Sequence, residues 1–319
     1  MWTAWFGRGV GHSRLTECPD QNCFLTQNRS ILNESDAVVF HSRDINWNDI
    51  PKYRRPDQDF VFFNMEPPYR TGGDFTEEWR KYYFNLTMTY RRDSDVYTPY
   101  GYITKRRSPL RYDLKALAAN KTKSVAWLAS NCHTPSGREL VAEKLKKLIG
   151  VDIYGACGDM KCGDCADIFE KQYKFYLSFE NSPCQDYISE KFFQHIYRYI
   201  VPVVLERRHF VHFCPEYKKP WLIAADDFKH AKELARYLQY LHQNATAYYE
   251  YLSWHEHYET AMYLNSDTGY MPRQQWCDLC RRVRNKRKKR VVRNVYEWWW
   301  NTGCDTSHKF FHDFSWSWP

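Results

Sequence analysis

The sequence predicts an α/β fold built on parallel sheets, and three observations carry that prediction. Short apolar runs of strand character recur along the chain, they alternate with stretches of helical periodicity, and polar turns separate them. Ala37 to Phe40 reads as a buried strand, and Phe60 to Phe63 as another that Pro67 and Pro68 bring to a stop. Ser124 to Ala129 is strand-like. The polar loop Ser130 to Gly137, a helix over Arg138 to Leu148 and the strand Val151 to Tyr154 complete one β-loop-α-β unit. The same grammar returns with the strand Tyr173 to Phe179, the loop Glu180 to Tyr187, a helix over Ser189 to Ile200 and the strand Val201 to Leu205. Ala231 to His242 has helical periodicity, and Thr246 to Glu259 is expected to form a further helix. Charges and Pro109 in the stretch Lys105 to Asn120 separate the two αβ sets. The expected domains are therefore 1–115, 116–276, and a Cys-x-x-Cys, basic and aromatic tail over 277–319 that packs back toward the first.

The 319 residues are 43% apolar and 26% charged, which supplies a core and excludes a disordered chain. A net charge of +8 resembles a nucleic-acid footprint until it is located. Arg281 to Arg293 holds nine Lys/Arg and no acid, and the remaining 37 bases face 38 acids. The charge is one segment, without interleaved aromatics, so it reads as a solvated helix face or an electrostatic contact rather than a nucleic-acid domain.

Eleven Cys and five N-x-S/T sequons, at Asn28, Asn33, Asn85, Asn120 and Asn244, favour a secretory or luminal protein with disulfides and N-glycans. The start MWTAWFGRGVGHSR has no apolar signal core, and no apolar run of membrane-spanning length occurs, so either an anchor or signal lies outside this sequence or the luminal reading fails. Cys162-x2-Cys165 and Cys277-x2-Cys280 have zinc-ligand spacing, but the pairs lie far apart and the compartment favours disulfides. Cys132 is expected to bond Cys184, since both lie in adjacent loops that follow strands.

Ligands of parallel α/β sheets sit beyond the carboxyl ends of the strands. Glu66 closes the Phe60–Phe63 strand, Arg138 stands where the loop after Leu128 enters a helix, and Glu180 and Asn181 follow the strand ending at Phe179. Tyr187, Glu190 and Lys191 lie at the next helix start. A helix amino terminus with Lys and Arg nearby suits a diphosphate. Neither G-x-G-x-x-G nor G-x-x-x-x-G-K-S/T occurs, which disfavours ordinary dinucleotide and P-loop sites.

The run Phe179-Glu-Asn-Ser-Pro-Cys-Gln-Asp-Tyr-Ile-Ser-Glu-Lys191, followed by Val201-Pro-Val-Val-Leu205, closely resembles the donor-site motif of the α-1,3-fucosyltransferases. Phe63-Asn-Met-Glu-Pro67, Phe84-Asn-Leu-Thr-Met-Thr-Tyr-Arg-Arg-Asp-Ser-Asp95 and Pro99-Tyr-Gly101 are similar to the acceptor-side motifs of that family, and Cys277-Asp-Leu-Cys280 to its terminal motif. The resemblance implies a GT-B fold, two Rossmann-like domains facing each other across a cleft. It implies inverting transfer of L-fucose from GDP-β-L-fucose to the 3-hydroxyl of an N-acetylglucosamine in a glycoprotein or glycolipid glycan. On the family pattern Glu66 is the general base. Arg138 and Lys191 neutralise the diphosphate, and Asn181, Tyr187 and Glu190 hold the fucose and ribose side, with Glu180 a further member of the group. Tyr100 falls on the acceptor side. The resemblance also ties Cys277 and Cys280 to Cys18 and Cys23.

Membership of this family would further imply a Golgi-lumenal enzyme whose full-length form is a single-pass type II membrane protein, with room for a homodimer. No cofactor is obligatory and no metal site is expected; a divalent cation would at most stimulate. Asp226–Asp227 reads as a loop before the Lys229–His242 helix rather than a metal motif. The chemistry agrees: one carboxylate suits a single displacement, the departing diphosphate wants cations, and a hydrolase would want two carboxylates about the sugar. Two rival readings share these motifs: a catalytically inactive, glycan-binding relative, and a core-type enzyme acting on the N-glycan core. Joint retention of Glu66, Arg138, Glu190 and Lys191 argues against the first, and the Thr89-to-Asp95 and Pro99-to-Gly101 segments look closer to a Lewis-type, antenna-directed enzyme.

Overall fold

A computed structural model describes residues 1–3, 13–15, 18, 23–71, 81–213, 217, 220–262, 273–285 and 291–305, and they group into two units. Unit 1 comprises Met1–Pro99, Cys184–Tyr187 and Tyr263–Cys304; unit 2 comprises Tyr100–Pro183, Ile188–Met262 and Asp305–Pro319. The chain leaves unit 1 at Pro99, ahead of the charged stretch from Lys105, because Gly101 already begins a strand that pairs within unit 2.

Unit 1 opens with a short antiparallel pair, β1 (Ser13–Arg14) and β2 (Phe24–Leu25). Its sheet is parallel, in the order β3 (Ala37–His41), β4 (Asp59–Asn64), β5 (Leu86–Thr89) and β6 (Val96–Tyr97). Phe40 stands opposite Phe62, and Phe63 opposite Met88. Every residue of Phe60–Phe63 is buried, so the sheet is covered on both faces and its strands read as continuous apolar runs rather than alternating ones. Helix Arg273–Arg284 buries Trp276, Cys277, Leu279 and Cys280, and Cys277 and Cys280 bond Cys18 and Cys23, the pairing that the resemblance implied.

In unit 2, β7 (Gly101–Lys105) and β13 (Tyr258–Met262) form an antiparallel pair. The main sheet is parallel, in the order β12 (Ile223–Ala224), β11 (Val201–Val204), β10 (Tyr173–Leu177), β8 (Lys123–Leu128) and β9 (Val151–Tyr154). Its helices are α1 (Leu114–Asn120), α2 (Arg138–Ile149), α3 (Cys165–Gln172), α4 (Glu190–Ile196), α5 (Ala231–Gln243) and α6 (Ala245–Leu252). Val125 and Trp127 join one apolar cluster with Val141, Leu145, Leu234 and Leu238, while Ala126 joins the other with Tyr154, Phe169 and Tyr176. Both faces are thus filled. Strand order runs outward from β8 in one direction to β9 and from β10 in the other, so the topological switch point lies between β8 and β10.

Thr246 to Glu259 is not one helix. It breaks after Leu252 into a 3₁₀ turn over Ser253–Glu256, and Tyr258–Met262 turns into strand because β7 offers it a hydrogen-bonding edge. Gly101 in β7 has Phe193 so close that a Cβ would stand 2.5 Å from the ring. The α4 helix is shorter than Ser189 to Ile200, and α1 and α3 were hidden from the apolar pattern, though Asp113 and Asp164 cap them.

The expected Cys132–Cys184 bond is replaced by Cys132–Cys157 and Cys184–Cys304. Strand pairing decides this. Leu128 lies opposite Tyr154, and Cys157 N–H donates to Ala129 O at 3.0 Å, so the loops after β8 and β9 meet directly. Cys184 instead belongs to unit 1, where Gln185 N–H donates to Gly303 O at 2.7 Å. Cys162 and Cys165 bond each other, and Cys214 lies outside the described residues, as do 286–290 of the basic run and the aromatics near Trp316. Among the sequons, Asn28, Asn33 and Asn120 are exposed and Asn244 caps α6, donating to Tyr240 Oη. Asn85 is corrected: it is 3% exposed, and its carbonyl oxygen accepts from Phe60 N–H and Arg54, so it braces β4 instead of presenting a surface for a glycan. Among the described residues no helix is long and apolar enough to cross a membrane.

Candidate active site

In unit 1 the candidate site begins where β4 ends. Asn64, fully buried, accepts the Glu66 backbone N–H on Oδ1 at 2.9 Å, an Asx turn that reverses the chain just past the strand. Pro67 and Pro68 then prevent further pairing, and Pro68–Arg70 forms a 3₁₀ turn. Glu66 is half-buried at this strand end, next to no second carboxylate in sequence. Asn64 Nδ2 donates to Thr71 Oγ1 at 3.2 Å, and Trp299 Nε1 donates to the same oxygen at 2.7 Å.

Unit 2 gathers its candidates at the β8/β10 switch point. Gly137, at φ +55°, turns the chain into α2 and places Arg138 at its first position. Arg138 is 3% exposed; its guanidinium donates to Phe179 O at 2.7 Å and to Asn131 O at 3.2 Å and lies over the Trp127 ring. It therefore joins the loop after β8 to the end of β10. Ser189 caps α4 and donates through its hydroxyl to both oxygens of Glu180, while its N–H donates to Glu180 Oε1 at 2.7 Å. Lys191 Nζ lies 3.3 Å from Glu180 Oε2 and 3.0 Å from Glu190 Oε1, and donates to Ser189 Oγ at 2.9 Å.

Burial raises the pKa of Glu180, more than Lys191 lowers it. Burial would also raise Glu190, but attraction and a hydrogen bond from Lys191 bring it below the usual range. Burial opposes the charge on Lys191, yet the two carboxylates hold its pKa up, so it stays a cation. Lys191 thus bridges the two carboxylates, and Arg138 supplies a further positive charge on the neighbouring helix. Asn181 Oδ1 and Ser182 Oγ are buried without a hydrogen-bond partner among the described residues. Both atoms can still take a hydrogen bond from a water or a bound polar group.

The structure thus brings Arg138, Glu180, Asn181, Glu190 and Lys191 together on neighbouring elements of unit 2. Tyr187 is buried in unit 1, with its ring 4.9 Å from that of Tyr90. Tyr100, the acceptor-side candidate, is buried at 3% exposure in unit 2. Sequence reasoning passed over Asn64, Thr71, Ser189 and Trp299. An Asn two residues before an acidic residue, and a Ser before Glu-Lys, are local signals for the turn and the cap; nothing local marks Thr71 or Trp299. Among the described residues no group of three His, Cys, Asp or Glu could hold a metal ion.

Comparison with known proteins covers both units. Residues 1–101 match the profile of the fucosyltransferase N-terminal domain, and residues 118–298 that of the glycosyltransferase family 10 (fucosyltransferase) C-terminal domain. The chain is 36% identical over 309 residues to alpha-(1,3)-fucosyltransferase fut-1 of Caenorhabditis elegans, covering 93% of this chain and 69% of that protein. It is 33% identical over 314 residues to 4-galactosyl-N-acetylglucosaminide 3-alpha-L-fucosyltransferase 9 of Bos taurus, covering 94% and 81%. A crystal structure of an alpha1,3-fucosyltransferase with GDP superposes with a TM-score of 0.51 at 17% identity, over 82% of this chain and 81% of that one. At that identity the likeness speaks for the fold, and two parallel-sheet α/β units are what the GT-B class contains.

Proposed function

The chain belongs to glycosyltransferase family 10, the fucosyltransferases, and we propose that it moves L-fucose from GDP-β-L-fucose to the 3-hydroxyl of an N-acetylglucosamine, with inversion. One observation carries the reading: a single carboxylate turn, at Glu66, ends a strand of unit 1, while cations and unfilled polar atoms occupy the switch point of unit 2. That division suits a single displacement. Glu66 takes the proton of the attacking hydroxyl, the new bond forms at the fucose anomeric carbon as the bond to the diphosphate breaks, and GDP leaves with the electron pair. Lys191 and Arg138 offset the charge growing on the diphosphate, whose good leaving ability makes a protonating acid unnecessary. Asn181 and Ser182 would meet the donor's polar groups with the buried atoms that now lack partners. Tyr187 and Glu190, at the start of the helix that carries Lys191, would hold the fucose and ribose side of the donor.

The acceptor proposed is an antenna N-acetylglucosamine of Lewis type, supported by the name of the Bos taurus relative, which specifies a 4-galactosyl-N-acetylglucosaminide. The compartment proposed is the Golgi lumen, supported by five disulfides among the described residues. Glu66→Gln tests the assignment of the base. It keeps the shape and the Asn64 bond to the backbone but cannot take a proton. Fucose transfer should fall by about 10²–10⁴-fold with GDP affinity unchanged. Normal transfer by Glu66→Gln would place the base elsewhere. A wild-type chain that binds glycans but releases no GDP in their presence would be a lectin-like relative instead.

A further inference from the structure

We infer that Trp299, acting through Thr71 and Asn64, is a positioning residue for the Glu66 turn, a role that rests on reading Glu66 as the base. The motif Tyr296-Glu-Trp-Trp-Trp300 has no part in the donor or acceptor patterns, yet one of its side chains reaches the turn directly. Thr71 Oγ1 accepts from Trp299 Nε1 at 2.7 Å and from Asn64 Nδ2 at 3.2 Å, and its own hydrogen faces Pro67 O at 3.5 Å. A hydroxyl offers two acceptor sites and one donor, so this one is fully used. Two of its partners flank Glu66, Asn64, which holds the Glu66 N–H, and Pro67, which follows it; the third, Trp299, enters from more than two hundred residues away. Thr71, Asn64 and Trp299 are all buried, so each lost bond would leave a polar group out of reach of water.

The tail is fixed firmly enough to serve as a reference. The Trp299 ring lies 5.5 Å from Phe62 and 5.3 Å from Tyr90, edge-on or tilted. Arg91, 3% exposed, donates to Trp298 O and to Thr302 Oγ1 and pairs with Asp93 at 2.7 Å, while Trp298 Nε1 donates to the same carboxylate at 2.9 Å. Gly303 permits this closure, since a Cβ there would stand 2.1 Å from Trp299 O. Cys304 then bonds Cys184. Packing alone would account for the buried ring. It would not account for the indole N–H ending on the one hydroxyl that ties the Glu66 turn together.

Trp299→Phe keeps an aromatic ring but loses the indole's second ring together with that N–H, so Thr71→Val, which leaves the indole in place, is measured beside it. With GDP-fucose and a 4-galactosyl-N-acetylglucosaminide acceptor, kcat should fall roughly 10- to 100-fold, the scale on which small misplacements of a reacting group act. KM for GDP-fucose should stay within about twofold. In a Glu66→Gln background the same substitution should cost nothing further, because a base that cannot take the proton gains nothing from its position. Should Trp299→Phe fold poorly, Thr71→Val must reproduce the kcat loss and Thr71→Ser, which keeps the oxygen, must restore it. Wild-type kcat in Trp299→Phe beside an inactive Glu66→Gln would overturn the positioning role alone, as would an equal fold-loss in both backgrounds. A fully active Glu66→Gln would overturn the base assignment, and this role with it.

Discussion

Unit 2 builds its site from consecutive β-loop-α-β segments, and its disulfides are local: Cys132–Cys157 spans 25 residues and Cys162–Cys165 spans 3. Unit 1 builds its site from stretches far apart in the chain, and its disulfides span 259, 257 and 120 residues. The proposed donor residues are thus positioned by neighbours in sequence, through the Ser189 cap and the Arg138 link. The Glu66 turn is reached instead by Trp299 from the distant carboxyl-terminal part of the chain. The two designs are vulnerable in different places, because a cross-link restrains the unfolded chain more the longer its loop. The Cys18–Cys277 and Cys23–Cys280 bonds run side by side, so once one forms the other closes only a short loop.

The largest expected effect is on stability. Replacing Cys184 and Cys304 by Ser should cost about 5 kcal/mol in the chain-entropy model, and replacing Cys162 and Cys165 about 2. Urea unfolding of the two variants measures the difference. Equal losses would show that loop length does not distinguish the units.

Next in size is the donor cluster. Lys191→Ala leaves Glu180 and Glu190 facing each other with no cation between them and should weaken GDP binding by about 1.5–3 kcal/mol in calorimetry. Arg138→Ala should weaken GDP binding similarly but also lower the melting temperature, since it cuts the links to Phe179 O and Asn131 O. Wild-type affinity in both variants would remove the donor site from this place in unit 2.

Smallest per step is the response to acid. His195 and His255 in unit 2 are held near a pKa of about 3, chiefly by burial and further by Arg198 and Arg106 respectively. The unfolded chain would protonate them near 6.5. A depressed pKa means that the folded state binds fewer protons, so this stability is complete above about pH 6.5 and is lost as pH falls toward about 3. Each histidine should contribute a slope of about 1.4 kcal/mol per pH unit. His195→Phe, which keeps the ring 3.6 Å from Tyr176, should flatten the fall in urea midpoint between about pH 6.5 and 5. An unchanged slope would mean that His195 opens to solvent before the unit unfolds.

The parallel α/β layers were legible in the apolar pattern, because doubly buried strands must be apolar throughout and the helices between them must keep a 3.6-residue period. So were the strand-end places of Glu66, Arg138, Asn181 and Lys191, since each follows directly on a readable strand or helix start. Tertiary structure decided what local pattern cannot encode. Tyr258–Met262 became a strand because β7 lay open to it, and Cys132 met Cys157 because β8 and β9 are neighbours in the sheet. Asn85, a valid sequon, turned inward because Phe60 N–H needed an acceptor. Trp299 reached Thr71 across 228 residues, a contact with no sequence period to announce it. Short-range order follows from the spacing of side chains along the backbone, whereas these four outcomes depend on which surfaces meet after the layers have formed.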